Sequence, residues 1–320
     1  MFKVKLRSLL VLLLTVAPAC LVDTSDDFLD EDDEMVGETS QASLSTNGMS
    51  LNGMSLNGMS LNGMSLNGMS LNGMSLNGMS LNGMSLNGMS LNGTLLGGTR
   101  SGLPISGAGL VGTQLNGTLS NGSTLLLRVD SAVTLPAPNT DVWAYGVSYA
   151  LAGGSWSTLC GLSGGVPILA LPLAGTWSNA SGVAGGGAWT TSATAFTFGC
   201  RGTALAKCVE LGYKPWKTVG STLLRNHHQA CTRMLRADYC GNGKSWTVNG
   251  TLINVYDSKG IQADATSWHT DAEWVSSGAK CVDSARVLQP GEPSCFVQLR
   301  NNHSCGSFDH GALLIDEYNG

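Results

Sequence analysis

Apolar positions in the first third of the chain recur every five residues. Met-Ser-Leu-Asn-Gly runs in nine identical copies from Met49 to Gly93, so that Met and Leu alternate with small polar residues and glycine. A period of five matches neither an α-helix, at 3.6 residues, nor a strand, at two, and it predicts a stacked repeat or a spacer. The register persists in looser form. Leu95-Leu96-Gly97-Gly98 keeps the frame, and after a one-residue slip Gly102, Gly107, Gly112, Gly117 and Gly122 follow at five. Ile105, Leu110 and Leu115 each stand two residues before a glycine of that series. The repeat therefore covers 45–122, and between Thr39 and Leu127 only Arg100 is ionisable.

From residue 123 the pattern becomes that of a globular domain of about two hundred residues, long enough for a real core. Trp143, Tyr145, Val147, Tyr149 and Leu151 alternate with small residues and predict a strand. Leu125–Val129 and Ala195–Phe198 predict two more, separated by glycine-rich turns. A helix is expected over 202–211, ending before Gly212 and the Lys214-Pro215 break, and a longer one over 221–237 with Leu224, His228, Cys231 and Leu235 on one face. Further strands are expected over 245–255 and 295–299. The domain reads as α+β, with a β-rich part at 123–199 and a second part at 200–320.

The pentad stretch resembles the pentapeptide-repeat family, whose chain winds as a right-handed square β-helix with one pentad per side. The resemblance implies that Leu51, Leu56, Leu61 and their successors point inward, with coils stacked at strand spacing, about 4.8 Å. Met49, Met54 and their equivalents occupy the second inward position, where the family carries Ala or another small residue. The alternative is a low-complexity spacer expanded by duplication. Some members of that family imitate DNA, which needs an acidic rod; this repeat is almost uncharged, and that function is rejected.

The N-terminus reads as an export signal over 1–19. Lys3, Lys5 and Arg7 precede a short apolar core, Leu9–Val16, too short to span a membrane. Ala17-Pro18-Ala19-Cys20 then resembles a bacterial lipobox, which implies lipid attachment at Cys20, although Ala17 replaces the usual Leu. Ordinary secretion is the alternative. Residues 20–44, with Asp30-Glu31-Asp32-Asp33-Glu34, form an acidic tether that repels itself and stays extended. Leu21 is not the Asp of an inner-membrane retention signal, so the outer membrane is the expected destination, periplasmic or surface-exposed.

Cysteine usage agrees with export. Setting Cys20 aside leaves eight: Cys160, Cys200, Cys208, Cys231, Cys240, Cys281, Cys295 and Cys305. An even set predicts disulfides in an oxidising compartment, with 105 possible pairings. No Cys-x-x-Cys unit suggests zinc, and no metal or cofactor is expected. Losing the leader's three basic residues takes the formal charge from −5 to −8, fourteen basic residues against twenty-two acidic. With no basic stripe and no phosphate loop, nucleic acid is excluded as a partner.

The second half carries a more specific succession. Phe196-Thr197-Phe198-Gly199-Cys200, Ala204-Leu205-Ala206-Lys207-Cys208 and Gly212-Tyr213-Lys214-Pro215-Trp216 are followed by His228-Gln229-Ala230-Cys231-Thr232-Arg233, then Ala237-Asp238-Tyr239-Cys240-Gly241 and Ile253-Asn254-Val255-Tyr256-Asp257. This order resembles the ADYC domain of secreted proteins and lipoproteins of myxobacteria, departing from it at Asn242. The resemblance implies a compartment and brings no activity with it.

Candidate chemistry is sparse. Asp238 lies at an expected helix end, where its charge opposes the dipole and needs Arg233, Arg236, a donor in Gly241-Asn242-Gly243 or a cation to compensate. A turn is the simplest role for it. Asp257 is the other weak catalytic candidate, and a hydrolase would require the two carboxylates to meet. His227 and His228 are adjacent on a helix, so one is expected to be packed and the other exposed. A thiol nucleophile at Cys231 or Cys240, activated by His228, conflicts with disulfide pairing. The leading expectation is an envelope protein with a structural or binding role toward an unknown protein or glycan; the alternative is an extracytoplasmic hydrolase using Asp238 and Asp257.

Overall fold

In the computed structural model the described residues are 89–320, apart from 120–123, 152, 178–186, 194, 249, 265–267, 288–289 and 320, together with short backbone strands at 45–47, 60–61, 67–69 and 80–85. The leader, the acidic tether and Cys20 lie outside them, as do the side chains of nearly all the perfect repeats. The described residues form two large, mainly antiparallel sheets, a three-stranded meander and three two-stranded ribbons, with three short helices between and beside them.

The first sheet is built from the alternating segments. Gln114–Leu119, Thr124–Thr134, Trp143–Leu151, Ala170–Ala174 and Ala195–Cys200 pair antiparallel in that order, and Ser80–Ser85 joins the last of them. Leu125, Leu127 and Val129 point to one face at period two and are all buried. Trp143–Leu151 is buried on both faces, because the sheet is covered twice. Ala144, Leu171 and Leu173 meet helix α1, Ala204–Glu210, through Leu205 and Val209. Tyr145, Val147, Phe196 and Phe198 meet Leu96 and Leu110 on the other side.

That second covering is a departure from the expected domain boundary at 122/123. The degenerate repeat belongs to the head. Ser90–Asn92, Leu95–Arg100 and Leu103–Ser106 form an antiparallel meander, followed by a 3₁₀ turn at Gly107–Leu110. The reason is local: Gly102, Gly107 and Gly112 hold φ of 79°, 51° and 80°, a left-handed conformation that turns the chain back on itself. Two hydrogen bonds then stitch the meander to the sheet. Leu96 N–H donates to Tyr145 Oη at 2.9 Å, and Trp143 N–H donates to Thr94 Oγ1 at 2.6 Å. Burial drives the Tyr145 phenol up to about 12.

The second sheet runs Thr251–Asp257, Leu314–Tyr318, His269–Val275, Gly278–Val282, all antiparallel. Helix α2, Arg225–Leu235, packs its Ala230, Cys231, Met234 and Leu235 against Ile253, Val255, Ala272, Trp274 and Leu314. The strand expected over 245–255 begins only at Thr251. The strand expected over 295–299 is instead helix α3, Phe296–Arg300: Leu299 N–H reaches Cys295 O, and Phe296 alone of its residues is buried.

All eight head cysteines are paired, as Cys160–Cys200, Cys208–Cys231, Cys240–Cys295 and Cys281–Cys305, with Cα separations of 5.5–5.8 Å. Each ties neighbouring elements: Cys208–Cys231 joins α1 to α2, and Cys240–Cys295 pins α3 beneath the end of α2. Four disulfides suit an oxidising, extracytoplasmic compartment. No described helix is long and apolar enough to cross a membrane. The Cys240–Cys295 bond closes a separation of 55 residues, for which loop entropy predicts about 4 kcal/mol. Replacing both cysteines by Ser should lower unfolding free energy by about that amount in chemical denaturation, with the reduced wild type losing at least as much.

Candidate functional site

The last turn of α2 delivers the Ala237-Asp238-Tyr239-Cys240 segment into the interior. Ala237 takes φ of 50°, and the chain leaves the helix with Asp238 N–H on Arg233 O at 2.9 Å. Asp238 is fully buried. Its carboxylate pairs with the Arg233 guanidinium and accepts Gly243 N–H at 2.9 Å. Arg236, also fully buried, donates to Gly243 O, while its own carbonyl accepts from Trp246 N–H and Ser245 Oγ. Asp238 therefore closes a turn between two buried cations. Burial lowers the Arg236 guanidinium to about 10, against the support of Asp238. Gly241 is required at φ 64°, since a Cβ there would lie 1.6 Å from Ser277 O.

Tyr239 points the other way, into the second sheet. Its ring stacks on Trp274 with centroids 5.3 Å apart and meets Phe296 edge-on at 4.9 Å. Its hydroxyl donates to Asp271 Oδ1 at 2.8 Å. Asp271 Oδ2 pairs with Arg286 Nε at 3.1 Å, and Arg286 Nη1 pairs with Asp316 Oδ2 at 2.9 Å, every one of these side chains being wholly buried. Trp274 Nε1–H donates to Asp316 Oδ1 at 2.6 Å, and Arg286 also donates to Met234 O at the end of α2. Two carboxylates around one guanidinium leave an excess negative charge. Burial, and then the charge of Asp316, push the Asp271 carboxyl well above its usual range. Burial raises the Asp316 carboxyl as well, and the Arg286 guanidinium draws both carboxyls back down.

A model of the ADYC domain matches residues 107–288, more than half of the chain. The chain belongs to the ADYC domain family. No curated protein and no solved structure matches it. The family match opens at Gly107, within the degenerate repeat, in keeping with the packing of that stretch onto the sheet. The ADYC motif itself is interior: Asp238 in a turn, Tyr239 in a hydrogen-bonded core, Cys240 in a disulfide.

The remaining candidates are accounted for one by one. Asp257 holds a different turn, accepting from Lys259 N–H at 2.6 Å, Ile261 N–H at 3.2 Å, Gln262 N–H at 2.6 Å and the Tyr213 hydroxyl at 2.9 Å. It shares no hydrogen-bond partner with Asp238. His227 and His228 are both buried, which corrects the expectation that one is exposed; Leu205 and Trp177 cover His228 while the Tyr213 ring stacks on His227. His228 Nε2 contacts Leu205 O at 3.0 Å, and burial drops its imidazole to about 4, so the ring is neutral and Nε2–H donates. Cys231 and Cys240 hold no free thiol for it to activate.

Sequence reasoning missed a second cluster in the ADYC head. Glu273, wholly buried on the strand beside Trp274, faces two histidines from the loop 301–311. His303 Nε2 stands 2.8 Å from Glu273 Oε2, and His310 Nδ1 stands 3.5 Å from Oε1. Oε1 also accepts Gly306 N–H and Ser307 N–H, each at 3.0 Å. Burial raises the Glu273 carboxyl, but His303, the Ser307 N–H and His310 together outweigh it and hold the group below its usual range.

Two outcomes are expected. Tyr239→Phe removes the donor to Asp271 and should cost about 1.5–3 kcal/mol of unfolding free energy in denaturant titration. Asp271 binds its proton more tightly folded than unfolded, so its contribution is full below about pH 4 and declines as pH rises toward the folded value. Asp271→Asn, which cannot ionise, should therefore gain stability relative to wild type progressively as pH rises above about 4, measured by paired denaturation curves.

Proposed function

We propose that this ADYC protein is exported, anchored by lipid at Cys20 to the outer membrane, and serves a structural or binding role in the cell envelope rather than a catalytic one. One observation carries the reading: every chemically capable group of the motif is spent inside the fold. Asp238 serves Arg233 and Gly243, Tyr239 serves Asp271, and Cys240 is bonded to Cys295. The two carboxylates of the hydrolase alternative each hold a separate turn, Asp238 with Gly243 and Asp257 with Lys259 and Gln262, which favours the structural reading.

The order of parts supports the rest. An acidic tether at 20–44 and a neutral repeat would hold the braced head away from the membrane, facing an unknown protein or glycan, and not nucleic acid. We propose the perfect copies as a right-handed β-helix rather than a loose spacer. Ser60–Leu61 pairs parallel with Ser80–Leu81, an offset of four pentads and so the length of one square turn, while Ser80–Ser85 also pairs antiparallel with Ala195–Cys200 of the head. Leucine on leucine at that spacing would fill a rod interior.

Metabolic labelling with a fatty acid tests the anchor. Wild-type protein should carry label and fractionate with outer membranes, and Cys20→Ser should lose the label and become soluble. Unlabelled wild type, or label retained by Cys20→Ser, would contradict the anchor.

A further inference from the structure

We propose that Glu273, His303 and His310 form a binding site for one divalent transition-metal ion of the zinc type. The site lies apart from the motif and holds whether or not Cys20 is acylated. Two imidazoles and one carboxylate converge here from a strand and a loop, which is a donor set that zinc, cobalt, nickel and copper(II) all accept.

Several features read as construction of a site rather than chance contact. The rings of His303 and His310 lie with centroids 3.8 Å apart, both turned toward one buried carboxylate. The carboxylate is fixed from behind by two backbone N–H groups on Oε1, the kind of outer hydrogen bonding that orients a metal ligand, and this leaves Oε2 toward His303.

The loop is held as firmly as the strand. Cys281 is the cross-strand neighbour of Glu273, and its disulfide partner Cys305 sits between the two histidines in sequence. The bond thus clamps the histidine loop against the glutamate. The Cys281 sulfur lies within ligand reach of Glu273 and His303, but bonded to Cys305 it is no thiolate, so it serves as the clamp. Asn302 Nδ2 donates to Lys280 O at 2.9 Å, Lys280 Nζ donates to His310 O, and Ser307 caps the 3₁₀ turn that ends in His310. Lys280 thus braces the main chain on both sides of the loop.

Donor separations are close to what an ion needs. Ligands bound at about 2.0–2.1 Å in tetrahedral geometry lie about 3.3 Å apart. His303 Nε2 stands 2.8 Å from Oε2 and must open by about half an ångström, while His310 Nδ1, 3.5 Å from Oε1, must swing toward the Oε2 side to share the ion. The two rings must also separate by about 1 Å to share one tetrahedral ion. His310 can supply that movement, since its side chain is 39% exposed. Three protein ligands leave a fourth position for water or for an oxygen or nitrogen donor of a partner.

The test uses the untagged, disulfide-intact full chain titrated calorimetrically with zinc chloride. One ion per chain should bind with a dissociation constant of about 10 µM or tighter, and cobalt(II) should give the visible absorption of a four- or five-coordinate nitrogen–oxygen site. His310→Gln, at a part-exposed position, and Glu273→Gln should each weaken zinc binding by about tenfold or more. His269→Gln, on the exposed start of the same strand, should leave it unchanged. Should Glu273→Gln fail to fold, His310→Gln decides alone. No binding at about 100 µM zinc, or binding untouched by His310→Gln, would overturn the proposal.

Discussion

Arg286 is a whole guanidinium taken out of water, and the second half of the head is arranged around that fact. Withdrawing such a cation costs several kcal/mol, recovered only if anions and acceptors close in with good geometry. Asp316 and Asp271 bring their carboxyl oxygens to it, Met234 O takes a further donor, and Tyr239 and Trp274 donate to those two carboxyls in turn. The set joins the end of α2, the motif and two strands of the second sheet through one charged centre. Loss of Asp316 would leave the Arg286 guanidinium short of its counter-charge, which costs about 3–5 kcal/mol and is felt by all four elements at once. That leverage is why a tyrosine stands in the motif.

Asp238 does the same for the chain's exit from α2. A carboxylate at a helix end is opposed by the dipole, and Arg233 and Arg236 on the preceding turn reverse that balance. The left-handed Ala237 and the crowded Gly241 then aim Cys240 at Cys295. The four signature positions thus form a chain of structural commitments from helix to sheet to α3. Chemistry with an open face lies elsewhere, at the clamped loop carrying His303 and His310 past the end of the family match.

Legibility in the sequence followed how local each cause was. The strand at 143–151 and α1 stand where their periodicity placed them, and the need of Asp238 for an arginine or a turn donor followed from charge and helix polarity alone. Even cysteine count pointed to pairing, but the choice among pairings depends on the packed fold. Asp271 and Glu273 were invisible for a definite reason. In His269–Val275 they alternate with Ala272 and Trp274, a pattern that reads as a solvent face. Their partners Arg286, Asp316, His303 and His310 come from 15 to 45 residues away or thereabouts, on elements that only tertiary structure brings near. The five-residue period misled in the opposite sense. It continues through 95–117 on the page, yet there its glycines serve an antiparallel meander that packs onto Tyr145.

The head cysteines brace the fold as disulfides and hold no free thiol. Alkylating the protein in denaturant without reductant, directly from envelopes, and mapping its peptides measures this most directly. The expected map contains cross-linked peptides for Cys160–Cys200, Cys208–Cys231, Cys240–Cys295 and Cys281–Cys305, with none of these cysteines alkylated. Alkylated Cys231 or Cys240 in the bulk of the protein would contradict it, leaving a thiol beside His228 or at the motif free to react.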